Sequence, residues 1–405
     1  MELKGEKDGL LKGIQVLDLA DEKASFCSKL LADLGARVIK IEKPGGDSSH
    51  RIGPFFGNSP HPEKSLFFYY NNTNKMGITL NLEHEEGKSI FLRLLKNKDI
   101  VVESFRPGYL KEIGLDFDVL KRVNPKLILV SVTGFGENGP RSQYKSCDLV
   151  ASASGGQMYV SGSPSTPPIK AFGEQSYYTA SLFAAIGILL ALRKRAHSGW
   201  GEHIDISLQE AVVSTLDHVM VRYFYEKVIP KRQGSLYWNN SFCILPCKDG
   251  HILLTLFQQW EILVEWMDNE GMAEDLRDEK YRDEEYRLRH VDHIIEVLNR
   301  WTKNHSTHEL FEMGQLMRFP WAPVNSPEEA LHNPQLKARG FFIKNEHPEL
   351  NRSIPYPGAP YKINRASIDR WKRAPSIGED NFQIYKKELG ISQEELKRLV
   401  SLNVI

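Results

Sequence analysis

A chain of 405 residues is long enough to bury a large core and to divide into two domains. Its 52 acidic and 52 basic residues cancel, which removes the global charge bias expected of a protein that binds nucleic acid or acidic membranes. Cys27, Cys147, Cys243 and Cys247 are scattered, and Cys243 and Cys247 have no second ligand pair nearby, so a zinc site is not expected and the setting reads as reducing and cytoplasmic.

The opening segment is charged and carries no signal-peptide apolar core. "GIQVLDLA" then predicts a strand, "EKASFCSKLLADLG" a helix ending at Gly35, and "ARVIKIE" a second buried strand. The pattern repeats in "GKSIFLRLLKNK" with "DIVVESF", and in "DFDVLKRVN" with "PKLILVSVTGFG". Alternation of this kind predicts an α/β domain with a parallel sheet. "DLADEKAS" stands where a nicotinamide-binding protein carries GxGxxG, so that reading loses its main support.

The apolar run Leu182–Leu192 is too short to span a bilayer, ends in "RKR" and predicts a buried helix. After Pro230 the texture turns polar, and the segment holding "DGHILLTL" and several charged helices predicts a smaller α/β domain. The expected division is 1–225 for the large domain, 226–325 for the small domain, and 326–405 for a linker and a return to the large domain. "YYNNTNK" and "LYWNNSF" are aromatic and Asn-rich loops, more simply structural than pocket-forming. The histidines are dispersed and form no evident ligand pair.

Seven phrases carry a resemblance that runs nearly end to end: "LLADLGARVIKIEKPGGD", "NKMGITLNLEHEEGKSIFLRLL", "DIVVESFRPGYLKEIGLDFDVLKRVNPKLILVSVTGFGENGP", "CDLVASASGG", "HSGWGEHIDISLQEA", "PVNSPEEALHNPQL" and "GISQEELKRLVSLNVI". In this order they resemble the class III CoA-transferases of the formyl-CoA and carnitine-CoA type. The resemblance implies a Rossmann-like parallel-sheet domain built from the N-terminal part and the C-terminal tail, with a small α/β domain inserted. It also implies two chains interlocked as a dimer, acyl-CoA and a carboxylic acid as substrates, and no tightly bound cofactor, metal, nucleic acid or membrane.

Family chemistry runs through an aspartate that attacks the acyl-CoA thioester, because its acyl adduct stays activated enough to be reversed by a thiolate. That aspartate sits in a loop of the form G-x-P-D-G-P-P. Here the loop is "GSPSTPP", and Ser165 stands in its place. A serine ester is far less activated than an anhydride, and no histidine lies close in sequence to make Ser165 a nucleophile. The resemblance therefore implies no catalytic residue in this loop, and a paralogous partner subunit that keeps the aspartate. Within the family the likeness is to the aspartate-lacking subunit of a two-subunit enzyme acting on an aryl-substituted acid.

CoA contacts implied by matching motifs are Lys23, Ala24, Lys43, Leu80, Glu83, Ser104, Phe105, Arg106, Thr133, Gly134, Phe135 and Gly136. Lys43 and Arg106 are the candidates to meet phosphates. The chain departs from the family in "KASF" (Lys23–Phe26), where "GP" is usual, and at Glu112, usually basic. Two other classes stay open. An acyl-CoA racemase or isomerase would use Glu174 and Asp148, but has Cys147 where a histidine is needed to complete the acid–base pair. A CoA-binding protein without catalysis is the other.

Overall fold

The computed structural model describes residues 9–237, 241–364 and 371–405; Trp238, Asn239 and Asn240 of "LYWNNSF" lie outside the described residues. The chain forms two compact units. One comprises Met1–Met158, Lys170–Ile229 and Ala338–Ile405; the other comprises Tyr159–Ile169 and Pro230–Lys337. The expected division differs from this one in a way that matters: Tyr159–Ile169, which carries the "GSPSTPP" loop, groups with the second unit. The cause is local bonding, since Arg232 Nε donates to the carbonyl of Ser163 (3.1 Å) and Gly234 N to that of Gly162 (3.0 Å).

The first unit is built on β1 (Gln15–Leu19), β2 (Arg37–Glu42), β3 (Met76–Thr79), β4 (Ile100–Glu103), β5 (Ile128–Thr133) and β6 (His203–Ser207). All pairings are parallel, in the order β3-β2-β1-β4-β5-β6. The chain winds outward from β1 in one direction, then restarts at β4 on the other side of β1. This reversal leaves a crevice at the carboxyl ends of β1 and β4, where such sheets bind ligands. The inner strands are buried on both faces, which is why they read as Val, Ile and Leu runs rather than alternating patterns. Leu17, Ile39, Ile78, Val101 and Leu129 face one core layer, and Val16, Val38, Ile100, Val102 and Val130 the other.

The first layer is closed by the helix Glu85–Leu95, through Ile90, Phe91, Leu94 and Leu95, and by the helix Gln393–Ser401, through Leu396 and Leu399. The final residues Val404 and Ile405 are buried in the same layer, where the Val404 carbonyl accepts from Asn81 N at 2.7 Å. The second layer is closed by the helices Ser25–Asp33 and Gln175–Ser198. Gln175–Ser198 corrects an expectation. It is long and apolar enough, by length and composition, to cross a membrane, yet it packs on β5 and β6 through Ala180, Ala184, Ile188 and Ala191. Its opposite side is not buried: Leu182, Ile186 and Leu190 are 49, 53 and 62 % exposed.

The second unit carries an antiparallel sheet of β7 (Leu236–Tyr237), β8 (Phe242–Pro246), β9 (His251–Thr255) and β10 (Ala322–Pro323), in the order β10-β9-β8-β7. Helices Trp260–Asn269, Val291–Thr302 and Thr307–Leu316 pack over it around Leu263, Met267, Leu298 and Leu310. Two of its buried indoles are hydrogen-bonded, Trp301 Nε1 to Glu270 (2.6 Å) and Trp321 Nε1 to Thr255 (3.0 Å), which satisfies the polar ring atom that burial takes from water.

Candidate functional site

At the carboxyl ends of β1 to β4 the first unit holds a cavity of about 430 Å³. Four of the expected contacts, Lys43, Leu80, Glu83 and Phe105, line it together. They come from three different strand ends, so only the parallel sheet brings them to one place. A hollow of about 700 Å³ near Asp116, Pro125 and Trp200 lies instead toward the amino ends of β5 and β6, away from the switch point.

Sequence reasoning missed the other residues of the cavity lining, among them Asp21, Glu42, Asp47, Tyr109 and Asn403. Asp47 had a signal in "PGGD", where it caps the turn Ser48–Arg51 by accepting from Ser49 N at 2.8 Å. Asn403 had none, because it arrives from the far end of the chain. Tyr109 packs against Phe105 with the rings tilted and their centroids 4.7 Å apart, and its hydroxyl donates to Glu83 at 3.0 Å.

Buried charges set the floor beneath this cavity. Lys40, fully buried, reaches Asp47 at 2.6 Å and the Ala20 carbonyl at 2.8 Å. Against the penalty of burial, Asp47 and Glu42 hold Lys40 in its charged form, above the usual lysine range. Glu42 also pairs with buried His50 at 2.9 Å; burial alone would lower the His50 pKa, but Glu42 more than offsets it and the net shift is upward. Deeper still, Lys75 bridges Asp18 (2.8 Å), Asn72 (2.7 Å) and the Ser25 carbonyl (2.9 Å), and burial pushes its pKa down to about 8.

The remaining expected contacts lie along the ends of β1, β4 and β5, outside the cavity lining. Ala24 is buried just ahead of the helix Ser25–Asp33, and Lys23 is ion-paired with Asp21. Ser104 Oγ donates to Asp21 Oδ1 at 2.6 Å and accepts from Asp21 N at 2.9 Å, which stitches the β1 end to the β4 end. Arg106 is exposed, and its guanidinium forks onto the Glu112 carboxylate, with Nη1 to Oε1 at 2.6 Å. Lys43, exposed at the cavity rim, has no ion pair among the described residues.

Thr133 ends β5 with its hydroxyl buried and without a hydrogen-bond partner among the described residues. Buried hydroxyls are nearly always paired, so this one is available to a ligand. The loop after it depends on two glycines. A Cβ on Gly134 would sit 2.3 Å from Ser146 Cβ, and Gly136 has φ +87°, a conformation side chains disfavour. Phe135 packs edge-on to Tyr144.

In the second unit Ser165 is exposed and its hydroxyl meets only Ser163 Oγ, at 2.9 Å, among the described residues. A hydroxyl is a poor acid, and a neighbouring serine cannot take its proton. In the first unit Asp148 is buried, accepts from Ser176 N (2.8 Å) at the start of the helix Gln175–Ser198, and pairs with Lys170 (2.5 Å). That is the bonding of an acid orienting a helix terminus. Burial, then the Asp148 charge, raise the Glu174 pKa. Cys147 is exposed. Among the described residues no group of three or more His, Cys, Asp or Glu side chains is placed to hold a metal ion.

Comparison with known proteins places these features in context. A family model described as CoA-transferase family III matches residues 11–381. The chain is 34 % identical, over 96 % of its length and 97 % of the relative's, to the succinyl-CoA:(R)-benzylsuccinate CoA-transferase subunit BbsE of Thauera aromatica. It is 31 % identical, over 98 % of both chains, to the succinyl-CoA–L-malate CoA-transferase beta subunit of Chloroflexus aurantiacus. Among solved structures, a CaiB/BaiF family protein from Brucella suis superposes with a TM-score of 0.85 at 28 % identity, covering 94 % of this chain and 99 % of that one.

Proposed function

Because the chain belongs to CoA-transferase family III, we propose that it is the non-nucleophilic subunit of a heteromeric enzyme moving CoA from an acyl-CoA, succinyl-CoA in the first instance, to a carboxylic acid such as (R)-benzylsuccinate. The observation that carries this reading is the chemistry of the loop: Ser165 stands where the family has an acylatable carboxylate, and its one hydroxyl contact among the described residues is another serine. A partner's aspartate would attack the thioester, forming a mixed anhydride and releasing CoA thiolate. The thiolate would then attack the aspartyl carbonyl, expel the first acid and leave an enzyme-bound thioester. Attack by the acceptor carboxylate would give a second anhydride, which CoA thiolate resolves to the new acyl-CoA while regenerating the aspartate.

Three observations support the partner. Relatives whose names identify them as subunits match this chain nearly end to end. Apolar side chains stand exposed on the helix Gln175–Ser198, with Tyr223, Phe224 and Tyr225 at 46, 60 and 86 % exposure, and a partner chain would cover them. The crevice keeps an ordered polar frame suited to a CoA thioester, with Lys43 at its rim. The cytoplasm, where thiols stay reduced, is the setting that fits free Cys27, Cys147, Cys243 and Cys247.

Co-expression with a paralogue that carries aspartate in the same loop tests the reading. The expected outcome is a complex of equal proportions with succinyl-CoA-dependent transfer, and no transfer by this chain alone. A monodisperse, active homodimer of this chain would contradict it.

A further inference from the structure

The crevice wall Ser104–Phe105 is held by a chain of side chains that its binding role does not by itself require. Glu103, 3 % exposed, ends β4, and its Oε2 accepts from Phe105 N at 2.8 Å. The register pairs Glu103 with Ser131 on β5, whose hydroxyl favours the ionised Glu103 carboxylate as a donor to it would. Having given its only proton there, Ser131 Oγ accepts from Nε2 of His203 on β6, at 2.9 Å. Three adjacent parallel strands thus present one hydrogen-bonded line, Glu103–Ser131–His203, that ends on the amide of a cavity-lining residue.

We propose that Glu103 is a positioning residue of the crevice: its ionised carboxylate ties the Ser104–Phe105 wall to β5, and protonation slackens that wall and weakens CoA binding. This rests on reading the crevice as a CoA site. An ionised carboxylate accepts from both Ser131 and Phe105 with charge-assisted bonds, whereas a protonated one must place a hydrogen on one oxygen and loses strength at both. Burial raises the Glu103 carboxyl to about 7, so the exchange falls in the physiological range, although the bonds from Ser131 and the Phe105 amide favour the ionised form. Of the charges facing it, Glu137 beyond β5 raises it further and Lys23 at the β1 end lowers it. Asp205 on β6 bears on Glu137, Asp21 is held on the far side of Ser104, and desolvation lowers the His203 pKa.

The test measures the affinity of the full chain for coenzyme A by calorimetry between pH 6 and pH 8, alongside amide exchange at Phe105 without ligand, corrected for intrinsic rates. Wild type is expected to bind CoA about fivefold more tightly at the upper pH, the difference between a charged and a neutral hydrogen bond. Phe105 protection should rise with the same midpoint. Glu103→Gln, which keeps the shape and a hydrogen-bonding end, should bind with the weak wild-type affinity at every pH. Ionisation of CoA's own phosphate is common to both proteins and cancels. Ser131→Ala should move the midpoint upward, and Glu103→Asp should retain a pH slope; a merely structural role predicts neither. An unchanged slope in Glu103→Gln overturns the proposal. So does Phe105 protection that titrates while CoA affinity stays flat. Titrating protection in a chain that binds no CoA at any pH also overturns it, and locates the error in the CoA reading of the crevice rather than in the tether.

Discussion

The crevice of the first unit and the loop of the second differ in how their polar groups are held. In the crevice, Asp21, Ser104, Lys40, Asp47, Glu42 and His50 are tied to one another across strand ends, much of it out of water. In the loop, Ser165 and Thr166 are exposed, and their hydroxyls bond to half-buried Ser163 within the same loop. A buried network resists change, because removing one member strands the others. An exposed loop residue can change from acid to serine at little cost in folding. Binding and bond-making chemistry are thereby separable, and a chain can keep the first while another supplies the second.

The comparison breaks most visibly at the partner's loop. In the complex, changing the partner's aspartate to alanine should lower turnover by several powers of ten, the usual consequence of deleting a covalent nucleophile; steady-state transfer assays read it. Next comes Lys75→Met, which leaves Asp18 charged and unpaired in the core. It should cost about 3–5 kcal/mol of folding stability by chemical denaturation. Gly134→Val should follow, since its side chain would run into Ser146. About 1–3 kcal/mol is expected for such overpacking, with weakened CoA binding because the displaced loop continues directly from Thr133.

A smaller effect concerns pH. The Glu103 carboxyl is raised, so the folded chain holds a proton there that the unfolded chain has already released. This contribution to stability is greatest below the ordinary glutamate range and falls as pH rises to about 7. Denaturation midpoints between pH 5 and pH 7 should show a shallower decline in Glu103→Gln than in wild type.

Much of the sheet was legible because both-face burial writes itself as short apolar runs between helical periods, as in "ARVIKIE" and "PKLILVSVTGFG". Lys43, Leu80, Glu83 and Phe105 were named only through matching family motifs; that they line one cavity follows from the sheet, since each stands a few residues at most beyond a strand end. What escaped depends on distance along the chain. Asn403 reaches the cavity only because Val404 and Ile405 are buried in the core beneath Asn81. The ion pair that the short helix Tyr109–Glu112 makes by turning Glu112 onto Arg106 also had no signal in the motif. The outer face of Gln175–Ser198 looked like core from its apolar content alone, because composition does not say which side meets a sheet.

The central claim is that Ser165 fills the place of a nucleophile without acting as one. Incubating the complex with succinyl-CoA, quenching with hydroxylamine and mapping the adducts by peptide mass spectrometry tests it most directly. Ser165→Ala should leave turnover within about threefold, under 1 kcal/mol in barrier height. A hydroxamate on the partner's aspartate and an unmodified Ser165 peptide are expected. An acyl group on Ser165, or loss of turnover by several powers of ten in Ser165→Ala with the fold intact, would contradict it.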